Sequence, residues 1–294
     1  MRVAAACAAA LIAAWVGSCG ATVSVTDASG AAITLAAPAR RIVSLAPHAT
    51  ELLFAAGAGS RVVGVLEPAD WPPEAARLPR VGDARGLDLE RIIALRPDLA
   101  IVWPYVAAAQ LERLRGMGVP VYSTDPHTPE AIAADVERLG MLAGTREEAT
   151  RAAAVFATRI AVLRARQSHV ATLRVFYEIW HLPLYTIGGA HLINAAIELC
   201  GGKNVFSSLT LPAPTVSVEA VLATRPEVIV AGADGAVRPA WLDAWRQWRE
   251  LPAVAKNNLF VVDANLLHRA SPRFIDGAEQ LCAVLDRARD NMQR

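Results

Sequence analysis

Arg146-Glu-Glu-Ala-Thr-Arg-Ala-Ala-Ala-Val-Phe156 opens a stretch, residues 146–168, that contains no Gly or Pro and consists mostly of strong helix formers. Ala149, Ala153, Phe156, Ile160 and Leu163 recur at helical spacing, with charges on the other faces. At 1.5 Å per residue such a helix spans roughly 35 Å. Flexible connections between domains are polar and rich in Gly, Ser or Pro. This one is not. The pattern predicts a single stiff helix, assigned to residues 145–169, joining two other units.

On its N-terminal side the units alternate. Residues 22–40 form a polar lead-in with a weak strand pattern, and Arg41-Ile-Val-Ser-Leu45 is a short apolar strand. Pro47-His48 reads as a turn, Thr50 as the start of a helix over Glu51-Leu-Leu-Phe-Ala-Ala56, and Gly57 as its stop. A strand at 62–65 follows, then a loop carrying Pro68, Pro72 and Pro73, a helix at 90–95 ended by Pro97, a strand at 99–103, a helix at 111–115 and a strand at 119–123. Strands alternating with helices imply a parallel sheet covered on both faces.

The C-terminal side echoes this. Leu87-Asp-Leu-Glu90-Arg-Ile-Ile-Ala-Leu-Arg96-Pro97-Asp-Leu-Ala-Ile101 aligns with Val216-Ser-Val-Glu219-Ala-Val-Leu-Ala-Thr-Arg225-Pro226-Glu-Val-Ile-Val230. The unit starting at Arg41 has a looser counterpart starting at Arg174. Similarity at a domain-sized offset argues for two related lobes rather than a short-period solenoid. The fold class expected is therefore α/β, with two Rossmann-like lobes (residues 22–144 and 170–294) joined by one long backbone helix.

The N-terminus reads as a secretory signal over residues 1–21. Arg2 precedes an apolar run at 3–16, and the small residues Gly17, Ser18, Cys19, Gly20 and Ala21 follow. The run is too short to span a bilayer as a stable helix. Val16-Gly17-Ser18-Cys19 is similar to a bacterial lipobox, which would leave a lipid on Cys19; cleavage after Ala21 is the competing reading. Both place the mature chain outside the cytoplasm. Cys200 and Cys282 then remain as an even pair in an oxidising compartment, either bridged or as two buried thiols.

A formal net charge of +1, with no Lys/Arg cluster interleaved with aromatics, argues against a nucleic-acid partner. Gly-x-Ser-x-Gly, His-Glu-x-x-His, a phosphate-binding glycine loop and Cys-x-x-Cys are all absent from the sequence. With carboxylates scattered rather than paired, the sequence points to a binding protein and not an enzyme.

From about Arg41 onward the chain resembles the helical-backbone substrate-binding proteins of bacterial ABC importers for cobalamin, haem and siderophores, and looks closest to the periplasmic cobalamin-binding family. The segments that carry the resemblance are Ser44-Leu-Ala-Pro47-His-Ala-Thr-Glu51-Leu, Leu89-Glu90-Arg-Ile-Ile-Ala-Leu-Arg-Pro97-Asp, Leu199-Cys200-Gly-Gly-Lys-Asn204-Val-Phe206 and Arg269-Ala-Ser-Pro272-Arg273. It implies a periplasmic, monomeric carrier, touching the membrane only through an N-terminal lipid if Cys19 carries one. That carrier would bind cobalamin or a related corrinoid between its lobes and deliver it to the importer's permease. Haem or a ferric siderophore is the alternative cargo, and a ligand sensor the alternative role. Glu90 and Glu219 fall on the glutamates with which the family docks onto arginines of the permease. A negative charge opening a helix is also favoured by the helix dipole. The family's disulfide falls on Cys200 and Cys282.

A corrinoid is large, mostly apolar and rimmed with amides, so its receptor needs flat aromatic walls and a few hydrogen-bond donors. The resemblance assigns Trp103, Tyr185 and the loop residue Trp71 to the cleft, with the Pro47-His48-Ala49 segment and Trp180 in the facing loops. Arg269 matches a cleft arginine, and Asn265 stands in place of an aspartate. Pro68, Ala84 and Ala213 replace family aromatics. Each ring also has a plainer role in packing, and Trp241, Trp245 and Trp248, at helical spacing, are expected to pack. His48 and His181 fall in matching loops, where facing imidazoles would suit iron or cobalt; most loop histidines are solvated, and no metal site is assigned.

Overall fold

The computed structural model describes residues 22–83, 85–167 and 169–294. Residues 1–21, with the expected signal and Cys19, and Ala84 lie outside the described residues. The lead-in is a two-stranded hairpin, β1 (Val23–Thr26) and β2 (Ala32–Leu35). Asp27 organises its turn by accepting from the backbone N–H groups of Ser29 and Ala31.

The first half continues through β3 (Ile42–Ser44), α1 (Pro47–Ala55), β4 (Val62–Val65), the short hairpin β5 (Gly82–Asp83) and β6 (Gly86–Leu87), and α2 (Leu89–Ala94). It ends with β7 (Leu99–Val102), α3 (Ala108–Gly116), β8 (Val121–Ser123) and α4 (Pro129–Ala143). Four strands form a parallel sheet in the order β4-β3-β7-β8. Every residue of β3 and β7 is buried, as central strands covered on both faces require. The chain leaves β3 toward one edge and returns on its other side at β7. Open α/β sheets bind ligands at such a reversal, outside the carboxyl ends of the strands.

One boundary differs from the sequence reading. Helix α1 begins at Pro47, not at Thr50. Proline suits the first helical position because its missing N–H has no intrahelical partner there. Pro47 and His48 are thus the first turn of a helix, and the His48 side chain is fixed to it.

Gly144, with φ 68°, ends α4 in a left-handed cap. Helix α5 (Arg146–Gln167) follows and packs back along α4, also touching α1, α6 (Leu192–Leu199) and α10 (Phe274–Gln293). Its buried residues are Ala149, Ala153, Phe156, Ile160 and Leu163. Its other faces tie it to both halves: Arg164 pairs with Glu130 of α4 at 2.9 Å, and Arg159 with Asp276 and Glu279 of α10 at 2.7 and 3.0 Å.

The second half runs from β9 (Leu173–Glu178) through the hairpin β10 (Trp180–His181) and β11 (Leu184–Tyr185) to α6 and β12 (Gly202–Asn204). Then come α7 (Val218–Thr224), β13 (Val228–Ala233), α8 (Pro252–Ala255), β14 (Leu259–Asp263), α9 (Ala264–Leu267) and α10. Its parallel sheet has the order β12-β9-β13-β14, so β9 stands where β3 stands in the first. The echo extends to single contacts. Asp98 accepts from the backbone N–H of Arg41 at 2.8 Å, and Glu227 accepts from that of Arg174 at 2.8 Å. Arg96 and Arg225, the equivalent positions before each proline, both have φ 47°.

Cys200, at the end of α6, is bonded to Cys282 of α10. Trp245 is buried against Phe176, with Trp241 and Trp248 packed on the same cluster. Among the described residues no helix is long and apolar enough to cross a membrane.

Candidate ligand cleft

Beyond the carboxyl ends of β3, β7 and β8 lies a cleft whose walls come from both halves, with an inner recess of about 210 Å³. The first half supplies Pro47, His48, Trp103, Tyr105 and the Asp125-Pro126-His127 segment. The second supplies His191 and Leu192 at the start of α6, and His268, Arg269 and Ala270 between α9 and α10. A second chamber of about 420 Å³ adjoins it and shares Pro47, Pro68, Trp103 and Tyr105. A separate depression along the backbone helix, at Glu130, Arg164 and Glu198, is occupied by paired groups: Arg164 holds Glu130, and Asn194 donates to Glu198.

Trp103, one residue past β7, is fixed by donating its indole N–H to Asp125 at 3.3 Å. Its ring meets His48 edge-on at 5.4 Å and Tyr105 at 4.6 Å. Asp125 also faces His127 at 3.1 Å.

His48 is 6% exposed, and its Nε2 has no hydrogen-bond partner. Burial holds its imidazole at about 4, outweighing the hydrogen bond to the Thr124 backbone that favours the charged form. His191 caps α6: its Nδ1 accepts from the Ile193 N–H at 3.1 Å, which leaves the ring proton on Nε2. Burial, with His268 nearby, brings it also to about 4. His268, hydrogen-bonded to the Tyr177 hydroxyl at 2.8 Å, is lowered to about 4 by burial. The three imidazoles are therefore neutral at ordinary pH. Among the described residues no three His, Cys, Asp or Glu side chains converge to hold a metal ion.

The permanent cation of the cleft, Arg269, is already matched. Glu51, buried on α1, accepts from Arg269 at 3.0 Å, from Ser271 at 2.6 Å and from Arg273 at 3.3 Å. Arg269 also grips both oxygens of Asp70 and donates to Asn265 at 3.2 Å. Its hydrogen bonds hold the Asp70 carboxyl below the usual carboxylate range. Every one of these contacts except that to Asn265 crosses between the halves.

The residues singled out from sequence divide accordingly. Pro47, His48, Trp103 and Arg269 meet at the cleft. Ala49 does not: it is fully buried against the core, because one step along α1 turns the side chain away from the cleft. Asn265 acts through Arg269. Trp71 lies in a different depression, with the Arg273 guanidinium 4.4 Å above its ring. Trp180 and Tyr185 are cross-strand partners at the exposed β10–β11 hairpin, outside the recess of about 210 Å³. His181 is stacked on Trp241 at 5.4 Å within the second half, so it does not face His48. Glu90 and Glu219 are both exposed one residue into their helices, behind the matching caps Asp88 and Ser217.

Tyr105, His191, His268, Glu51, Asp70 and Arg273 were not legible as site residues. Glu51 did leave a trace, as a lone acid in the apolar run of α1.

Residues 42–266 match the family model described as periplasmic binding protein. The chain belongs to the periplasmic binding protein family. A vitamin B12-binding protein of Vibrio parahaemolyticus is 36% identical over 249 residues, which are 83% of this chain and 89% of the relative. The crystal structure of the periplasmic vitamin B12-binding protein BtuF of Vibrio cholerae superposes with a TM-score of 0.77 at 36% identity, covering 85% of this chain and 98% of the other. The periplasmic haem-binding protein RhuT of Roseiflexus, in apo form, gives 0.75 at 26% identity over 85% and 99%. As a member of this family the protein is a carrier of solute and not a catalyst.

Proposed function

We propose that this periplasmic binding protein carries cobalamin or a related corrinoid in the cleft between its halves and delivers it to the membrane subunits of an ABC importer. The observation that carries the reading is the state of charge in the cleft. Arg269, the permanent cation in the lining, is held by Glu51 and Asp70, and His48, His191 and His268 are neutral. An anionic ligand would find no free countercharge and would lose its hydration. A large ligand rimmed with neutral amides loses less, and meets the rings of Trp103 and Tyr105 and the N–H of His191. The vitamin B12-binding relatives support the same cargo.

Haem remains the second reading because one observation favours it: the buried Nε2 of the neutral His48 imidazole has no hydrogen-bond partner. Purifying the mature protein with its endogenous chromophore separates the two. A corrinoid spectrum supports the proposal; a Soret band overturns it.

Delivery assigns Glu90 and Glu219 to basic residues of the permease, one from each lobe. Their exposure and matched helical positions support the pairing. The lobes, residues 22–144 and 170–294, close little about the helix between them, so affinity comes from a largely preformed cleft. The carrier works as a periplasmic monomer, free or tethered by a lipid on Cys19. Reversing both charges (E90K with E219K) abolishes uptake and leaves ligand affinity intact; lost affinity contradicts this division of labour.

A further inference from the structure

Where the turn at 269–273 crosses to the first half, the guanidiniums of Arg269 and Arg273 meet the carboxylates of Glu51 and Asp70, and the charges sum to zero. The two carboxylates are not equivalent. Glu51 is buried, and both arginines and Ser271 share it, so it is committed to holding the halves together. Asp70 is exposed on the loop between Pro68 and Pro72, and both its oxygens go to Arg269. Asn265, a further acceptor on Arg269, is neutral. Arg269 lines the recess, whereas Asp70 stands outside its walls. Without the charge of Asp70, two cations would share one carboxylate, and this edge of the cleft would be net positive. The guanidinium side chain is only 14% exposed, so water screens such a charge weakly.

We propose that Asp70 sets the class of ligand: by neutralising Arg269 from outside the recess, it makes the cleft select corrinoids with a fully amidated rim over those bearing a rim carboxylate. The inference rests on the corrinoid reading. A rim carboxylate brought to Arg269 finds its donors taken and two carboxylates beside it, so it gives up hydration against like charge. A neutral amide meets no such opposition. Asp70 is thus a positioning and selectivity residue that acts through Arg269.

The test is a calorimetric titration at neutral pH with cyanocobalamin and with its monocarboxylic acids, in each of which one propionamide is hydrolysed. Three variants are compared with the unaltered chain. Asp70→Asn removes the charge, Asp70→Glu keeps it, and Glu74→Gln removes an exposed charge a few residues further along the same loop. The unaltered chain should bind cyanocobalamin more tightly than any of the acids. Asp70→Asn should shift the acid-to-amide affinity ratio toward at least one acid by about tenfold, as a newly available charged donor would. Asp70→Glu should keep the original ratio, and Glu74→Gln should move it by less than about twofold. An unmoved ratio in Asp70→Asn overturns the assignment. So does an equal shift in Glu74→Gln, which would mark a general field, or in Asp70→Glu, which would show that charge is not the filter. An unaltered chain that binds an acid as tightly as cyanocobalamin has no filter, and the inference fails while the corrinoid reading stands. If that chain binds none of these ligands, the corrinoid reading falls, and this inference with it.

Discussion

Glu51 of the first half and Arg269 of the second meet at 3.0 Å with their side chains only 2% and 14% exposed, so one ion pair ties the halves together at the edge of the cleft. Ser271 and Arg273 add two more donors from the same turn to the same carboxylate. Removing one partner of a buried pair leaves the other charge uncompensated, at a cost of about 3–5 kcal/mol. Asp70, the other acceptor of Arg269, is 57% exposed, and exposed pairs contribute at most about 1 kcal/mol. Glu51→Gln should therefore lower the unfolding free energy by about 3 kcal/mol, and Asp70→Asn by less than about 1 kcal/mol. Urea denaturation of the two variants checks the order; equal losses would show that Glu51 does not hold the interface.

Trp103 and Trp71 were both cleft candidates in the sequence, and the fold separates them. Trp103 lines the cleft, whereas Trp71 sits beneath Arg273 in another depression. Trp103→Ala should weaken corrinoid binding by roughly 10- to 100-fold, as truncation of a central aromatic contact does. Trp71→Ala should leave affinity nearly unchanged. Calorimetric titration distinguishes them, and a larger loss for the Trp71 variant contradicts the placement.

Acidification should destabilise the protein. His48, His191 and His268 sit at about 4 in the folded chain and near 6.5 when unfolded, so the unfolded state binds more protons between those values. Their stability contribution is whole above about pH 6.5 and is lost as pH falls toward about 4, by up to about 3 kcal/mol for one histidine. His191→Asn keeps a side chain that caps α6 and removes one of the titrations. It should flatten the dependence of the thermal midpoint on pH between 7 and 5. An unchanged slope would mean that the His191 imidazole binds its proton equally well in the folded and unfolded chain.

The Cys200–Cys282 bond closes a loop with a sequence separation of 82, which in the chain-entropy description stabilises by about 4–5 kcal/mol. Replacing both cysteines by serine should shift the urea midpoint accordingly, with corrinoid affinity preserved at the remaining folded fraction. A midpoint unmoved by the double replacement would show that the bond constrains little.

Local signals carried the architecture. The helix over 146–168 was legible because nothing in it breaks a helix and its five buried residues keep one stripe; Arg146–Gln167 is that helix. The repeat was legible because Glu90 and Glu219, with the Arg-Pro pairs behind them, hold their spacing, and the two sheets have the same strand order. The cleft was only half legible. Its second wall depends on where residues 265–273 fall against α1, and no periodicity encodes a contact between distant turns. Pro47 reads equally as a turn or as a first helical residue, and the resemblance that put Ala49 in the cleft with it carries no sign that α1 buries Ala49. His181 matched His48 in chain position, but its ring found Trp241.

The cargo is tested most directly by a competition titration of the purified, ligand-free mature chain with cyanocobalamin and haem. Matched charges around Arg269 and neutral imidazoles predict saturable one-to-one binding of the corrinoid that excess haem does not displace. Tight haem binding with no affinity for cyanocobalamin would contradict the account.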